Sequence, residues 1–218
     1  MSPRIALIHA IPLSIQPTRD AFKAIWPEAE TSNLIDDDLT VALKLEGGLS
    51  PAITARICDL ATYAARTGVQ AILFTCSAFT PAMDLAKQLV SIPVLKPDEA
   101  MIEAALEVGQ RIGVVATFAG TPPITTGQLQ AAASARHISI RVETALADGA
   151  MVALNAGDAA THDRLIVEAS SALDQKVDVI CLAQFSMARA QADVQRRMKV
   201  PVLTSPTSAV TKLKKLLV

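Results

Sequence analysis

Among the 218 residues of this chain, Cys76 is the one best placed to do chemistry. It lies in Phe74-Thr75-Cys76-Ser77, after the apolar run Val69-Gln70-Ala71-Ile72-Leu73-Phe74 and before Thr80-Pro81, a residue pair that reads as a helix start. A thiol between a strand and a helix is within reach of the backbone N–H groups of Ser77 and Ala78, which favour the reactive thiolate. Cys58 falls within a helical pattern and Cys181 within an apolar strand, so both read as core residues. His9 closes the first apolar run. It suits either a buried, hydrogen-bonded role or a general acid/base role. His137 and His162 have no mechanism attached. No His, Cys, Asp or Glu spacing suggests a metal site, and no glycine-rich phosphate loop is present. Asp36-Asp37-Asp38 reads as a solvated loop or a helix N-terminus.

The elements that must position these residues follow from periodicity. Arg4-Ile5-Ala6-Leu7-Ile8-His9 reads as a buried strand that gives way to a loop at Ala10-Ile11-Pro12. Ser50-Pro51 reads as cap and first residue of a helix with Ile53, Ile57, Leu60, Ala61 and Ala64 on one face and Gly68 at its end. Val69 to Phe74 is the next strand. Thr80-Pro81 opens another helix, with Leu85 and Leu89 continuing its face. Ile92-Pro93-Val94-Leu95 is a short strand, Asp98 caps a helix ending at Gly109, and Ile112-Gly113-Val114-Val115-Ala116 is a further strand. Alternating strands and helices argue for parallel sheets.

An internal repeat organises these elements. Val69–Cys76 matches Val177–Gln184, and Ile92-Pro93-Val94-Leu95 matches Val200-Pro201-Val202-Leu203, both at an offset of 108 residues. Arg56 and Arg164 keep the same offset, and the strands opening at Arg4 and Arg111 match at 107. The sequence therefore predicts an α/β fold of two pseudo-symmetric parallel-sheet halves with the active site in the cleft between them. Residues 1–96 plus 207–218 form the first half and 97–206 the second, with the closing helix from Ser208 to Leu217 packing back on the first half. In parallel sheets ligands bind beyond the carboxyl ends of strands. Four such ends carry small or hydroxyl residues: His9 to Ser14, Thr75 to Ala78, Thr117 to Thr121 and Ala183 to Ser186.

Composition narrows the function classes. Hydrophobic residues make up 51% and aromatics only 3%, so the core must be built from Ala, Val, Ile and Leu. The net charge of −1 and the absence of an interleaved basic and aromatic pattern argue against nucleic-acid binding. Lys212, Lys214 and Lys215 suit a helix end, where cations complement the dipole. No apolar run reaches transmembrane length, no signal-peptide pattern opens the chain, and three cysteines without paired spacing suit a reducing cytoplasm.

The motifs together resemble the aspartate/glutamate/hydantoin racemase superfamily, which includes maleate isomerases and arylmalonate decarboxylases. The resemblance spans nearly the whole chain. It rests on the twofold repeat, on Phe74-Thr75-Cys76-Ser77, on Ile112–Thr117 with Thr121, on Val179–Met187 and on Pro201–Pro206. It implies a cofactor-independent isomerase, racemase-like, that moves a proton at the carbon next to a carboxylate. Such enzymes resemble one another in using one cysteine from each half. The first position is matched by Cys76. The second is matched by Gln184, whose amide neither gives nor takes a proton at neutral pH. Cys181, three residues earlier on a strand, faces the opposite side. The resemblance thus admits a decarboxylase-like lyase with a single cysteine, and also a non-catalytic protein that binds small carboxylates. His9 is the remaining candidate for a second acid/base group. The implied substrate-binding groups are Ser14, Ser77, Thr117, Thr121 and Ser186, with their neighbours Ala78 and Phe185. The implied partner is a small carboxylate or hydantoin-like substrate, with no cofactor, metal, nucleic acid or membrane, and a homo-oligomer is compatible with the family.

Overall fold

The computed structural model describes residues 2–218. The chain divides into two units, Met1–Pro97 with Ala209–Val218, and Asp98–Ser208.

The first unit runs β1 (Arg4–His9), α1 (Ile15–Ile25), β2 (Glu30–Ile35), α2 (Leu39–Leu45), α3 (Pro51–Arg66), β3 (Ala71–Phe74), α4 (Thr80–Leu89) and β4 (Val94–Leu95). Its sheet has the order β2-β1-β3-β4, with every pairing parallel. The second unit runs α5 (Glu99–Val108), β5 (Arg111–Ala116), α6 (Thr121–Ala135), β6 (Arg141–Leu146), α7 (Ala150–Asn155), α8 (Ala159–Ser171), β7 (Val179–Leu182), α9 (Gln191–Arg197) and β8 (Val202–Thr204). Its sheet repeats the same order, β6-β5-β7-β8, again all parallel. The last helix, α10 (Ser205–Leu217), begins in the second unit and continues into the first. There Ala209, Val210 and Leu213 are fully buried, and the Lys214 ammonium donates to the Ile25 carbonyl at 2.9 Å.

Both centres are built as the apolar composition demands. Every residue of β3 and β7 is buried, as expected of strands covered by helices on both faces. Small residues do much of the helix packing: Ala61 and Ala64 of α3 and Ala82 and Ala86 of α4 lie in one cluster with Ile53, Ile57, Phe74 and Met83. The Ser50 hydroxyl accepts from the Ile53 N–H, and Gly68 adopts the left-handed conformation that ends α3, so both helix signals hold.

Three local expectations change. Thr80 is not the cap of α4 but its first residue, and its hydroxyl donates to the Ser77 carbonyl at 2.8 Å. Leu85 and Leu89 are 49% and 61% exposed, because the buried face of α4 is Ala82, Met83 and Ala86. Asp98 stands at the N-cap of α5 without a side-chain capping bond. Its buried carboxylate instead accepts from the Ser205 hydroxyl at 2.6 Å. No described helix is long and apolar enough to cross a membrane.

In each sheet the chain reverses its winding direction at the first strand: β2 lies on one side of β1 and β3 on the other, and β5 is flanked likewise by β6 and β7. Such switch points leave a crevice at the carboxyl ends of the two central strands. His9 and Cys76 follow from the β1 and β3 ends, Thr117 and Gln184 from those of β5 and β7.

Candidate active site

At the β1 and β3 ends of the first unit, a buried polar network lies next to Cys76. The Thr75 N–H donates to the Ile8 carbonyl at 3.1 Å, which carries the sheet one residue past β3. His9 is fully buried, and both ring nitrogens are engaged. Nδ1 lies 2.8 Å from the Ser14 hydroxyl and 2.9 Å from that of Thr75, while Nε2 lies 3.0 Å from Asn33 Oδ1. Burial is the main cause that lowers the His9 pKa below its ordinary 6.5. The Asn33 hydrogen bond opposes it, and the Arg19 charge adds to it. Ser14 is also buried, with its hydroxyl donating to the Ile11 carbonyl at 2.9 Å and its own carbonyl accepting from Thr18. His9 and Ser14 therefore spend their polar atoms on each other, on Thr75 and on neighbouring chain.

Cys76 itself is partly buried and its backbone is extended. Its side chain does not cap the short 3-10 turn Ser77–Phe79 that follows, contrary to the expectation of a thiol held by that turn's N–H groups. Beneath it lies an apolar cavity of about 10 Å³ walled by Ile8, Leu39, Ile57, Phe74 and Met83, which is about the room of one water. Ser77 is partly buried and Ala78 exposed. The other two thiols stand elsewhere. Cys58 is partly buried within α3, where burial and then the charge of Asp59 push its pKa up. Cys181 is sealed in the core of the second unit, and burial, reinforced by Asp98, pushes it up to about 12.

At the β5 and β7 ends of the second unit, Thr117 and Gln184 meet. Gln184 Oε1 accepts from the Thr117 N–H at 2.6 Å and from the Thr117 hydroxyl at 2.8 Å. Thr117 is buried and Gln184 partly exposed. Thr121 opens α6, and its N–H donates to the Phe118 carbonyl at 3.0 Å. Phe185 and Ser186 are buried in the 3-10 turn Phe185–Ala190 that follows Gln184.

Sequence reasoning missed two participants. Asn33 lies on β2, in the polar stretch Glu30-Thr31-Ser32-Asn33, which carries no apolar run to mark it as a strand. Thr75 stood within a motif but had no role, because its bond to His9 joins residues 66 apart in the chain.

Two switch-point crevices, one presenting a thiol and the other an amide backed by a threonine, define a duplicated parallel α/β protein suited to small-molecule chemistry. The chain belongs to the Asp/Glu/Hydantoin racemase family, whose model matches residues 45–213. No curated protein sequence matches it. Among solved structures, it is similar to allantoin racemase from Klebsiella pneumoniae, with 20% identity and a TM-score of 0.77 over 99% of this chain and 88% of that one. It is also similar to glutamate racemase from Francisella tularensis subsp. tularensis SCHU S4, with 15% identity and a TM-score of 0.69 over 99% of this chain and 81% of that one. Unliganded arylmalonate decarboxylase aligns at 17% identity with a TM-score of 0.68, over 98% of this chain and 92% of that one. These likenesses establish the fold of two α/β halves.

Proposed function

We propose that this protein is a cofactor-independent enzyme that moves a proton at the carbon next to a carboxylate, with Cys76 as proton donor and acceptor. The observation that carries this reading is the position of Cys76. It follows β3 at a switch point and is partly open, whereas Cys181 is sealed in apolar surroundings and Cys58 lies mid-helix. Membership of the racemase family supports the reaction class.

In this reading the Cys76 thiolate takes the proton, and the C–H electron pair becomes an enolate next to the carboxylate. The thiol then returns a proton to carbon. Preorganised donors oppose the charge that develops on oxygen. In the first unit those donors are the Ser77 hydroxyl and the N–H groups near Ala78. In the second unit the hydroxyls of Thr117, Thr121 and Ser186, with the N–H near Phe185, are the proposed carboxylate-binding groups. His9 and Ser14 hold Thr75, and so the residue before the thiol, in a fixed position.

A second reading is a decarboxylase-like lyase. Gln184 favours it, because an amide cannot act as a second acid or base. There the bond to a carboxyl group breaks, carbon dioxide leaves, and Cys76 protonates the resulting enolate.

The test is incubation of wild type and Cys76→Ala in deuterated water with aspartate, glutamate, allantoin, hydantoin, maleate and phenylmalonate, followed by NMR. Exchange at carbon that disappears in the variant supports the first reading. Carbon dioxide release with one deuterium gained supports the second. Full activity in Cys76→Ala overturns both.

A further inference from the structure

Within the second unit, a groove of about 1110 Å³ runs between α8 and α9. One wall is a single face of α8, where Ala160, Asp163, Arg164, Val167 and Glu168 recur at intervals of three and four residues. Asp193, Arg196 and Arg197 of α9 line it from the other side, with Arg189 of the preceding 3-10 turn. Neither Thr117, Thr121 nor Gln184 lines the groove, so it is apart from the carboxyl ends of β5 and β7. Four guanidinium groups meet only three carboxylates there, an excess of cation in a chain whose net charge is −1.

The pairing of these charges leaves donors over. Arg164 Nη1 donates to Glu168 Oε1 at 2.6 Å, and Arg196 Nη2 donates to Asp193. Arg189 donates through Nε alone, to the two oxygens of Asp163 at 2.9 and 3.1 Å. Its two Nη groups bond no acceptor among the described residues. Arg197 bonds no carboxylate among them either. The direction of the Arg189 fork is set from below. His162 is fully buried, and its Nδ1 lies 2.7 Å from the same Asp163 Oδ1 that accepts from Arg189. That contact fixes the carboxylate, and the carboxylate fixes the guanidinium. The edge formed by two Nη groups presents parallel N–H bonds at the spacing of two phosphate oxygens.

We propose that this groove binds the phosphate monoester of a hydroxylated small molecule. The Nη edge of Arg189 and the guanidinium of Arg197 hold the phosphate oxygens. Glu168 and Asp193 accept from the hydroxyls of the ligand. Their present bonds are to exposed arginines and cost little to rearrange. Ala160 and Val167 supply apolar contact. The volume suits a whole metabolite, since small-molecule pockets run to about 1,000 Å³, and far exceeds what a lone phosphate fills. The site stands independently of proton transfer at Cys76.

The experiment is isothermal titration of the full chain, at low salt, with ribose 5-phosphate, AMP, inorganic phosphate and ribose. One saturable site per chain is expected for at least one of the two esters, with inorganic phosphate weaker and ribose silent. Arg189→Gln and Arg197→Gln should each weaken ester binding about tenfold. Arg189→Lys, which keeps the charge and loses the fork, should weaken it nearly as much as Arg189→Gln. Arg66→Gln, which removes an exposed arginine of the first unit, should leave it unchanged. Melting temperatures confirm that each variant folds. The proposal is overturned if neither ester binds, if inorganic phosphate or ribose binds as tightly as the esters, or if Arg189→Gln and Arg197→Gln bind like wild type. Full affinity in Arg189→Lys, or an equal loss in Arg66→Gln, also overturns it, because the attraction is then one of net charge and not of a built site.

Discussion

Asp98 and Ser205 lie 107 residues apart in the chain, yet the serine hydroxyl donates to the aspartate carboxylate at 2.6 Å within a buried pocket of the second unit. Burial raises the Asp98 pKa from 3.8 to about 6, and the Ser205 bond offsets only part of that rise. The folded state then holds a proton that the unfolded chain has released between about pH 4 and 6. Its stabilising effect is complete below the unfolded value and is lost as pH rises through the folded one. Asp98→Asn keeps the hydrogen bond and removes the charge. It should raise the unfolding free energy above pH 6 by about 3 kcal/mol at most, with the gain vanishing near pH 4. Urea unfolding at pH 4 and pH 7.5 reads this directly, and an equal effect at both pH values would contradict it.

His9 titrates with the opposite sign. Burial keeps its folded-state pKa below 6.5, so the unfolded chain takes up a proton first as pH falls. The contribution is present above the unfolded value and is lost below it. Wild type should therefore lose stability between pH 7.5 and 5.5 by an amount that His9→Gln does not lose. Parallel melting curves for the two proteins across that range would rule this out.

The three thiols should differ sharply in reactivity. Iodoacetamide under native conditions should label Cys76, which is partly exposed, and leave Cys181, which has no exposed surface, untouched until the protein unfolds. Peptide mass spectrometry over a time course gives the order. Labelling of Cys181 at the rate of Cys76 would mean that the second core opens.

Gly109→Ala should destabilise, although alanine usually gains over glycine through the unfolded state. A Cβ there would lie 2.5 Å from Asp178 Cβ. Asp178 cannot step aside cheaply, because its carboxylate accepts the N–H groups of Gln110 and Arg111 and pairs with the Arg111 guanidinium at 2.6 Å. The overpacking should cost about 1–3 kcal/mol, seen as a lowered midpoint in urea.

The strands that could be read directly from the chain were those buried on both faces. β1, β3, β5 and β7 appear as apolar runs, and their repeat at 107 and 108 residues matched Cys76 with Gln184 in sequence. β2 and β6 escaped notice because polar residues leave no apolar run in Glu30-Thr31-Ser32-Asn33-Leu34-Ile35 and Arg141-Val142-Glu143-Thr144-Ala145-Leu146, whereas β4 and β8, at the opposite edges, were marked by Ile92–Leu95 and its repeat Val200–Leu203. α4 was assigned the wrong face because two leucines outweigh two alanines in any hydrophobic count. Close packing against the alanine-rich face of α3 favours the smaller residues. At the site, residue types and strand ends were visible, but the pairings were not. Thr117 with Gln184, and His9 with Asn33 and Thr75, each join residues that only the sheet brings together.

The discontinuity of the first unit bears on how the protein is made. Asp98–Ser208 is one unbroken stretch of chain, so it can fold as soon as it clears the ribosome. The first unit, begun earlier, lacks Ala209, Val210 and Leu213 until synthesis reaches its last turns. The half that carries Cys76 is therefore the first to be synthesised and the last to be completed. A nascent chain stalled after Ser208 would hold a finished second unit and a first unit with an open apolar groove.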